Sequence, residues 1–464
     1  IMPSIWSKLL MPEWALPYNC YEIGHTWTPS CEDAAIDMTL TVFVEAVKLY
    51  TPLYLMSEVM RSRRHRSQKW SLQSVVTSVV SNTLRSSSFL GFTAMLMMTV
   101  FCNMRRFTGK FYYTLCAYLP VFLSSLFAIL IEKRSRRAAL AIYCANIASE
   151  TLYRMLVNRN YIRPVPRGEV ILFTVSISVI LLIVRKYGYG KDAVSSGLKF
   201  ILGAEESGNY VINHRCSNNI KISDKIKSLI LEMDSCVVRH PKCKHTYNSC
   251  LLNTLWYSMR NFAIGWSAQL VLSVFTKQKF LKLPITTFIN GLTDKRNINF
   301  GLFLSTFTVV YKSMICLLHK TNSLPPEWYT IIASLCAGPT MLLSTSSMNT
   351  TITMYLLWKA IEMVYLLAVR NGLLGGVNQT VILLYAISTA QLAYVTILEP
   401  RAMRSSYLKF IDRITGQKLN SFNRSVLDVF GTGASKGYEH IQFPKLWFQY
   451  TSRQFKENVL SWLI

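Results

Sequence analysis

Two short segments contain the residue types that metal chemistry needs. Cys20, His25 and Cys31 fall within twelve residues of one another, and Cys243, His245 and Cys250 repeat the combination later in the chain. Thiolate and imidazole are the ligands zinc prefers, and four of them from two loops would close a tetrahedral site. Neither spacing is the compact CxxC knuckle. Three readings therefore stay open: structural zinc, a disulfide within each segment in an oxidising compartment, or reduced structural thiols. Cys216 and Cys236 lie in the same polar part of the chain, whereas Cys102, Cys116, Cys144, Cys316 and Cys336 sit inside apolar stretches and read as small core residues.

A second set of chemically capable residues is buried in apolar sequence. Glu150 stands four residues before Arg154, and Glu362 three after Lys359. An ionisable group near mid-bilayer costs about 2.5–3.5 kcal/mol on insertion scales, so each carboxylate needs a partner. Local ion pairs at helical spacing are one reading; a polar path or substrate site between two halves of the molecule is the other. Gly431-Thr432-Gly433-Ala434-Ser435-Lys436 lacks the GxxxxGK[ST] pattern of a phosphate loop and reads as a turn. There is no GxSxG elbow, HExxH helix or Ser-His-Asp set, so no catalytic residues are assigned and no cofactor is expected beyond a structural zinc.

The elements that must position these groups are membrane helices. The 464 residues are 51% hydrophobic and only 16% charged, against about a quarter charged in soluble domains. Windows of near-spanning length run over 87–104, 115–131, 169–184, 300–318, 328–347 and 380–398, with weaker ones at 36–56, 138–157, 251–275 and 350–369. The expected fold is all-α: a polytopic membrane helical bundle of eight to ten spans. Fifty Lys and Arg against 24 Asp and Glu give a net charge of +26. The basic residues sit in short runs between apolar stretches, as at Arg61–Arg66 and Lys133–Arg137, the pattern of loops that touch lipid headgroups rather than nucleic acid.

The bundle reads as two tandem homologous halves. Ser195–Ile201 matches Ser405–Ile411 at an offset of 210 residues, and Tyr143, Glu150 and Tyr153 match Tyr355, Glu362 and Tyr365 at 212. Ser125–Ala128 matches Ser334–Ala337 at 209, and His25-Thr26-Trp27 with Cys31 matches His245-Thr246-Tyr247 with Cys250 at 220 and 219. The chain divides into an N-terminal segment (1–17), a first membrane repeat (18–206), a polar linker (207–239), a second repeat (240–416) and a basic C-terminal tail (417–464).

Three strings carry a family resemblance: Asn19 to Trp27, Ile131 to Arg137, and Val426 to Lys436. Together they resemble the transmembrane protein 135 family, over most of the chain. The resemblance implies a multi-pass protein of mitochondrial and peroxisomal membranes, related to the Tim-type translocase and peroxisomal membrane protein superfamily. It also implies a non-enzymatic role in mitochondrial fission–fusion balance and in peroxisome organisation or lipid homeostasis. The expected partners are membrane lipids and the dynamin-related fission machinery, with no nucleic acid. The alternative function is a carrier or channel for a lipid or metabolite, working through a polar site between the halves.

Overall fold

The structure, a computed structural model, describes residues 15–64, 72–190, 192–208, 249–276, 289, 291–321, 325–375, 377–436 and 446–459. Cys216, Cys236, Cys243, His245 and nearly all of the polar linker lie outside the described residues.

In chain order the elements begin with β1 (Ala15–Leu16), α1 (Cys20–Ile23), α2 (Cys31–Arg64), α3 (Leu72–Thr108), β2 (Phe111–Tyr112), α4 (Tyr113–Ala128) and α5 (Arg134–Asn158). There follow α6 (Gly168–Tyr187), α7 (Ala193–Leu202), α8 (Cys250–Thr276), α9 (Lys295–Thr321), α10 (Pro326–Ala337) and α11 (Ser346–Arg370). The last are α12 (Val377–Leu398), α13 (Ser405–Ile414), α14 (Arg424–Leu427) and α15 (Arg453–Asn458). The only strands among the described residues are β1 and β2, paired antiparallel with Leu16 opposite Phe111.

The chain folds as an all-α helical membrane protein. Five helices among the described residues are long and apolar enough to cross a bilayer: Gln73–Thr108, Gly168–Tyr187, Lys295–Lys320, Asn349–Arg370 and Gln379–Leu398. Other helices also turn apolar residues outward at helical spacing, such as Ile36, Leu40 and Val44 on α2 and Leu251, Leu255 and Met259 on α8. The apolar window 328–347 is not one helix. After Ala337 the backbone tightens into a 3-10 segment, Gly338–Leu343, where Pro339 has no N–H to continue the α-helical ladder.

Contacts divide the chain into two compact units, residues 1–164 with 376–464, and residues 165–375. These boundaries cut across the sequence repeats. In the first unit α2 and α3 form a hairpin, α4 packs on α3, and α12 packs on both α4 and α5. In the second, α8 and α9 form the hairpin, α10 packs on α9, and α6 packs on both α10 and α11. Each unit thus has four successive helices and a fifth that, in the chain, directly follows the other unit's four.

The same devices hold the fifth helix in both. The Ser125 hydroxyl of α4 bonds that of Thr389 on α12 at 2.8 Å, and Ser334 of α10 bonds Ser178 on α6 at the same distance. Small and hydroxyl-bearing residues suit helix packing in lipid, where such bonds are worth about 0.6–2 kcal/mol. Within the hairpins, Gly91 approaches Phe43 and Gly301 approaches the backbone of Phe262, where an added Cβ would stand 2.9 Å from the Phe262 carbonyl oxygen.

The described residues beyond Pro400 fold into the first unit. Leu419, Phe422, Val426, Leu427, Phe430 and Phe455 are buried with Leu16, Tyr18, Ile23, Phe101 and Phe111 in one apolar cluster. Gly431 and Gly433 adopt positive φ in a turn where the Ser435 N–H donates to the Asp428 carboxylate at 3.0 Å. That amide is therefore committed within the turn.

Candidate metal centre

The first unit gathers the N-terminal thiols and imidazole at one end of its hairpin. Cys20 opens α1, Cys31 opens α2, and His25 lies between them. The short α1 forms because Asn19 caps it: its side chain accepts from the Glu22 N–H at 2.9 Å, and the Glu22 carboxylate accepts from the Asn19 N–H at 2.6 Å. Gly24 then turns the chain across Phe101, where a Cβ would stand 2.8 Å from the ring. Arg105 of α3 donates to the carbonyls of Tyr18 at 2.6 Å and Pro17 at 3.2 Å, fixing the strand-to-helix approach.

A fourth ligand comes from α3. One donor atom from each of Cys20, His25, Cys31 and Cys102 lies within 4.8 Å of all the others. The His25 Nδ1 sits 2.7 Å from the Thr28 carbonyl oxygen, which can only accept, so Nδ1 carries the proton. The lone pair of Nε2 then faces the Cys31 sulfur at 3.4 Å. This is the orientation a metal-ligating histidine takes when its other nitrogen is held by a backbone carbonyl. Zinc–sulfur and zinc–nitrogen bond lengths place tetrahedral ligand atoms about 3.5–3.8 Å apart, so these donors need only a small contraction to close on an ion.

Electrostatics favour thiolate at the rim. Hydrogen bonds from Cys102 and Cys20, with His25 beside it, hold the Cys31 thiol far below its ordinary value. For Cys20, a hydrogen bond with Cys102 acts downward. Its bond to Cys31 and its burial outweigh that and carry it up to about 12. Cys31 is exposed, Cys20 half-buried, and His25 and Cys102 buried. The three sulfurs are unbridged.

Cys102 is a buried core residue, as its apolar setting implies, and its sulfur also joins the donor set. The local signal was weak: its neighbours are apolar, but it lies one turn before Arg105 and Arg106, at the end of the span rather than its middle. Of the second Cys/His segment only Cys250 is described, as the first residue of α8.

Glu150 and Glu362 each lie in an ion cluster. Glu150 receives Arg154 at 2.6 Å and Arg404, just ahead of α13, at 2.5 Å. Glu362 receives Lys359 at 2.6 Å, and Lys359 also reaches Asp192, the cap of α7, at 3.2 Å. A further cluster escaped sequence reading. Lys312, inside the apolar run of α9, pairs with Glu205 at 3.2 Å and lies 3.8 Å from the centre of the Tyr257 ring. Glu206 beside it accepts from the Tyr311 hydroxyl at 3.2 Å. Burial raises the Glu206 carboxyl; Lys312 opposes this and Glu205 adds to it. A lysine in an otherwise apolar span was the available signal.

No solved structure matches the chain. Residues 17–157 match the family model of the N-terminal cysteine-rich region of Transmembrane protein 135, a stretch that contains all four candidate ligands. Over this cysteine-rich region the chain is similar to the transmembrane protein 135 family.

Proposed function

We propose that the chain is a non-enzymatic integral membrane protein in which Cys20, His25, Cys31 and Cys102 hold a structural zinc ion. The observation that carries the reading is the gathering of four soft donors within 4.8 Å. Zinc there would tie the loop ahead of α2 to the end of α3 and contribute its binding energy to folding. The residues between the ligands also grip the C-terminal part of the chain. Ile23 O accepts from Asn423 N at 2.9 Å, Thr26 donates to Ser421 O at 2.5 Å, and the Tyr21 hydroxyl accepts from Trp447 N at 2.9 Å. Buried Glu22 accepts from the Ser452 N–H. Metal occupancy in this reading sets how firmly residues 421–436 and 446–459 dock.

We place the protein in mitochondrial and peroxisomal membranes, as the family resemblance implies. There it regulates fission–fusion balance and peroxisome organisation or lipid homeostasis, with lipids and the dynamin-related fission machinery as partners. The rival reading is a lipid or metabolite carrier. The ionic partners of Glu150 and Glu362 favour the non-transport reading, since both carboxylates are already engaged. We also read the two units as copies of one ancestral unit with their fifth helices exchanged. The hydroxyl pairs and ion clusters support this, because their members recur near the sequence offset of 210 residues.

Cells carrying only the His25→Ala protein test the reading. Altered mitochondrial length and peroxisome distribution, at unchanged membrane insertion, are expected; normal organelles would contradict it. Flux in reconstituted vesicles that Glu150→Gln and Glu362→Gln abolish would instead establish the carrier.

A further inference from the structure

The four donors differ in how far they reach solvent. A cavity of about 570 Å³ opens on Cys20, Cys31 and Cys102, with Arg105, Arg106 and Tyr450 among its walls. His25 has no exposed surface and Cys102 is 9% exposed, whereas Cys31 is an exposed residue. Cys31 is also the first residue of a helix of 34 residues, where the helix dipole favours a thiolate. Two further sulfurs stand within 4.8 Å of it. An accessible thiolate with neighbouring thiols is the arrangement of a redox-sensing cysteine beside its resolving partner.

We propose that Cys31 is the hydroperoxide-reactive ligand of this centre, and that its oxidation to a disulfide with Cys20 or Cys102 discharges the metal. The inference rests on the zinc reading above. In the first step the Cys31 thiolate attacks the O–O bond of a hydroperoxide, forming Cys31 sulfenic acid and expelling hydroxide or alkoxide, which takes a proton from water. In the second, the sulfur of Cys20 or Cys102 attacks the sulfenic sulfur and expels hydroxide. Two thiolates lose two electrons, the hydroperoxide gains them, and the ion, left with two ligands, enters solvent. Arg105 and Arg106 favour the step by stabilising negative charge at the cavity. Hydrogen peroxide and a lipid hydroperoxide share this chemistry.

The test uses full-length protein purified in detergent. Its zinc content is measured first; a chain with no zinc refutes the metal reading, whatever the thiols do. Zinc-loaded protein is then treated in parallel with hydrogen peroxide and with a fatty-acid hydroperoxide, while a chromogenic chelator follows zinc release. Release is expected with a loss of two thiols per ion, a mapped disulfide that includes Cys31, and recovery after reduction and added zinc. The faster oxidant identifies the source. Cys31→His, which keeps a zinc-binding atom without an oxidisable sulfur, should hold zinc and release it at least about tenfold more slowly. If that variant does not load, the disulfide map of the unaltered chain decides. Zinc retained under both oxidants, or released with Cys31 still reduced, overturns the proposal.

Discussion

The two helical units share their packing devices and differ at one end of their hairpins. In the second unit, Lys312 of α9 pairs with Glu205, which follows α7, and the Tyr257 ring of α8 lies against the same lysine. In the first, α2 and α3 present Cys31 and Cys102, with Cys20 and His25 folded over them. A buried salt bridge fixes geometry but cannot be loaded or emptied. A thiol–imidazole set can be both, because its ligands bind metal only when deprotonated and reduced. Where two units agree, as in the paired hydroxyls Ser125–Thr389 and Ser334–Ser178, the residues serve the scaffold. Where they differ, the first unit carries the proposed metal joint.

The largest expected effect follows metal removal. A strong zinc chelator should strip hydrogen-exchange protection from residues 18–28, 421–436 and 446–459 while the second unit keeps its own. Equal loss in both units would erase the distinction between them. Next is Lys312→Met, which leaves Glu205 buried and unpaired and should destabilise the second unit by about 3–5 kcal/mol. Adding Glu205→Gln should recover most of that loss in a denaturation series, since a neutral pair carries no stranded charge. A smaller effect is expected of Glu150→Gln. Its arginine partners are partly exposed, with Arg154 at 44%, so solvent screening reduces the loss to about 1–2 kcal/mol, readable as a shift in thermal midpoint.

How far these residues were legible from sequence varies for physical reasons. Hydropathy identifies a helix without naming its neighbours. Ser125 and Ser334 are visible as matched residues, but nothing in a contiguous reading pairs them with Thr389 and Ser178 from helices far along the chain. Which helix packs as the fifth of each unit is a tertiary choice and leaves no local mark. Glu150 with Arg154 and Lys359 with Glu362 were legible because their spacing of three or four residues is itself the contact. Arg404 and Asp192, which join them from other helices, were not. The loop ligands Cys20, His25 and Cys31 announced themselves by polar context, whereas Cys102 was hidden by its apolar neighbours. The apolar segment 328–347 read as one span because windowed hydropathy is blind to the amide that Pro339 lacks.

The smallest effect concerns pH. Burial raises the Glu206 carboxyl above its ordinary value, so the folded second unit holds a proton that the unfolded chain gives up at lower pH. Its stability from this group is fully present below the ordinary glutamate range. It is lost as pH rises through the folded value, with a slope of at most about 1.4 kcal/mol for each step of one in pH. Glu206→Gln should flatten that decline in a pH series of thermal midpoints. An unchanged slope would assign the decline to another group, and would weaken the picture of a fixed charge cluster in this unit.

Whether the first unit carries a metal joint is decided most directly by the zinc content of purified full-length protein beside its Cys102→Ser variant. Elemental analysis reads it, with protein quantified in the same sample. Cys102 is the ligand that only the folded geometry supplies, on a different helix from the other three. One zinc ion per chain is expected, lost or weakened at least about tenfold in affinity when this sulfur is removed. Full zinc retention in the variant, or no zinc in the unaltered protein, would contradict the four-ligand centre.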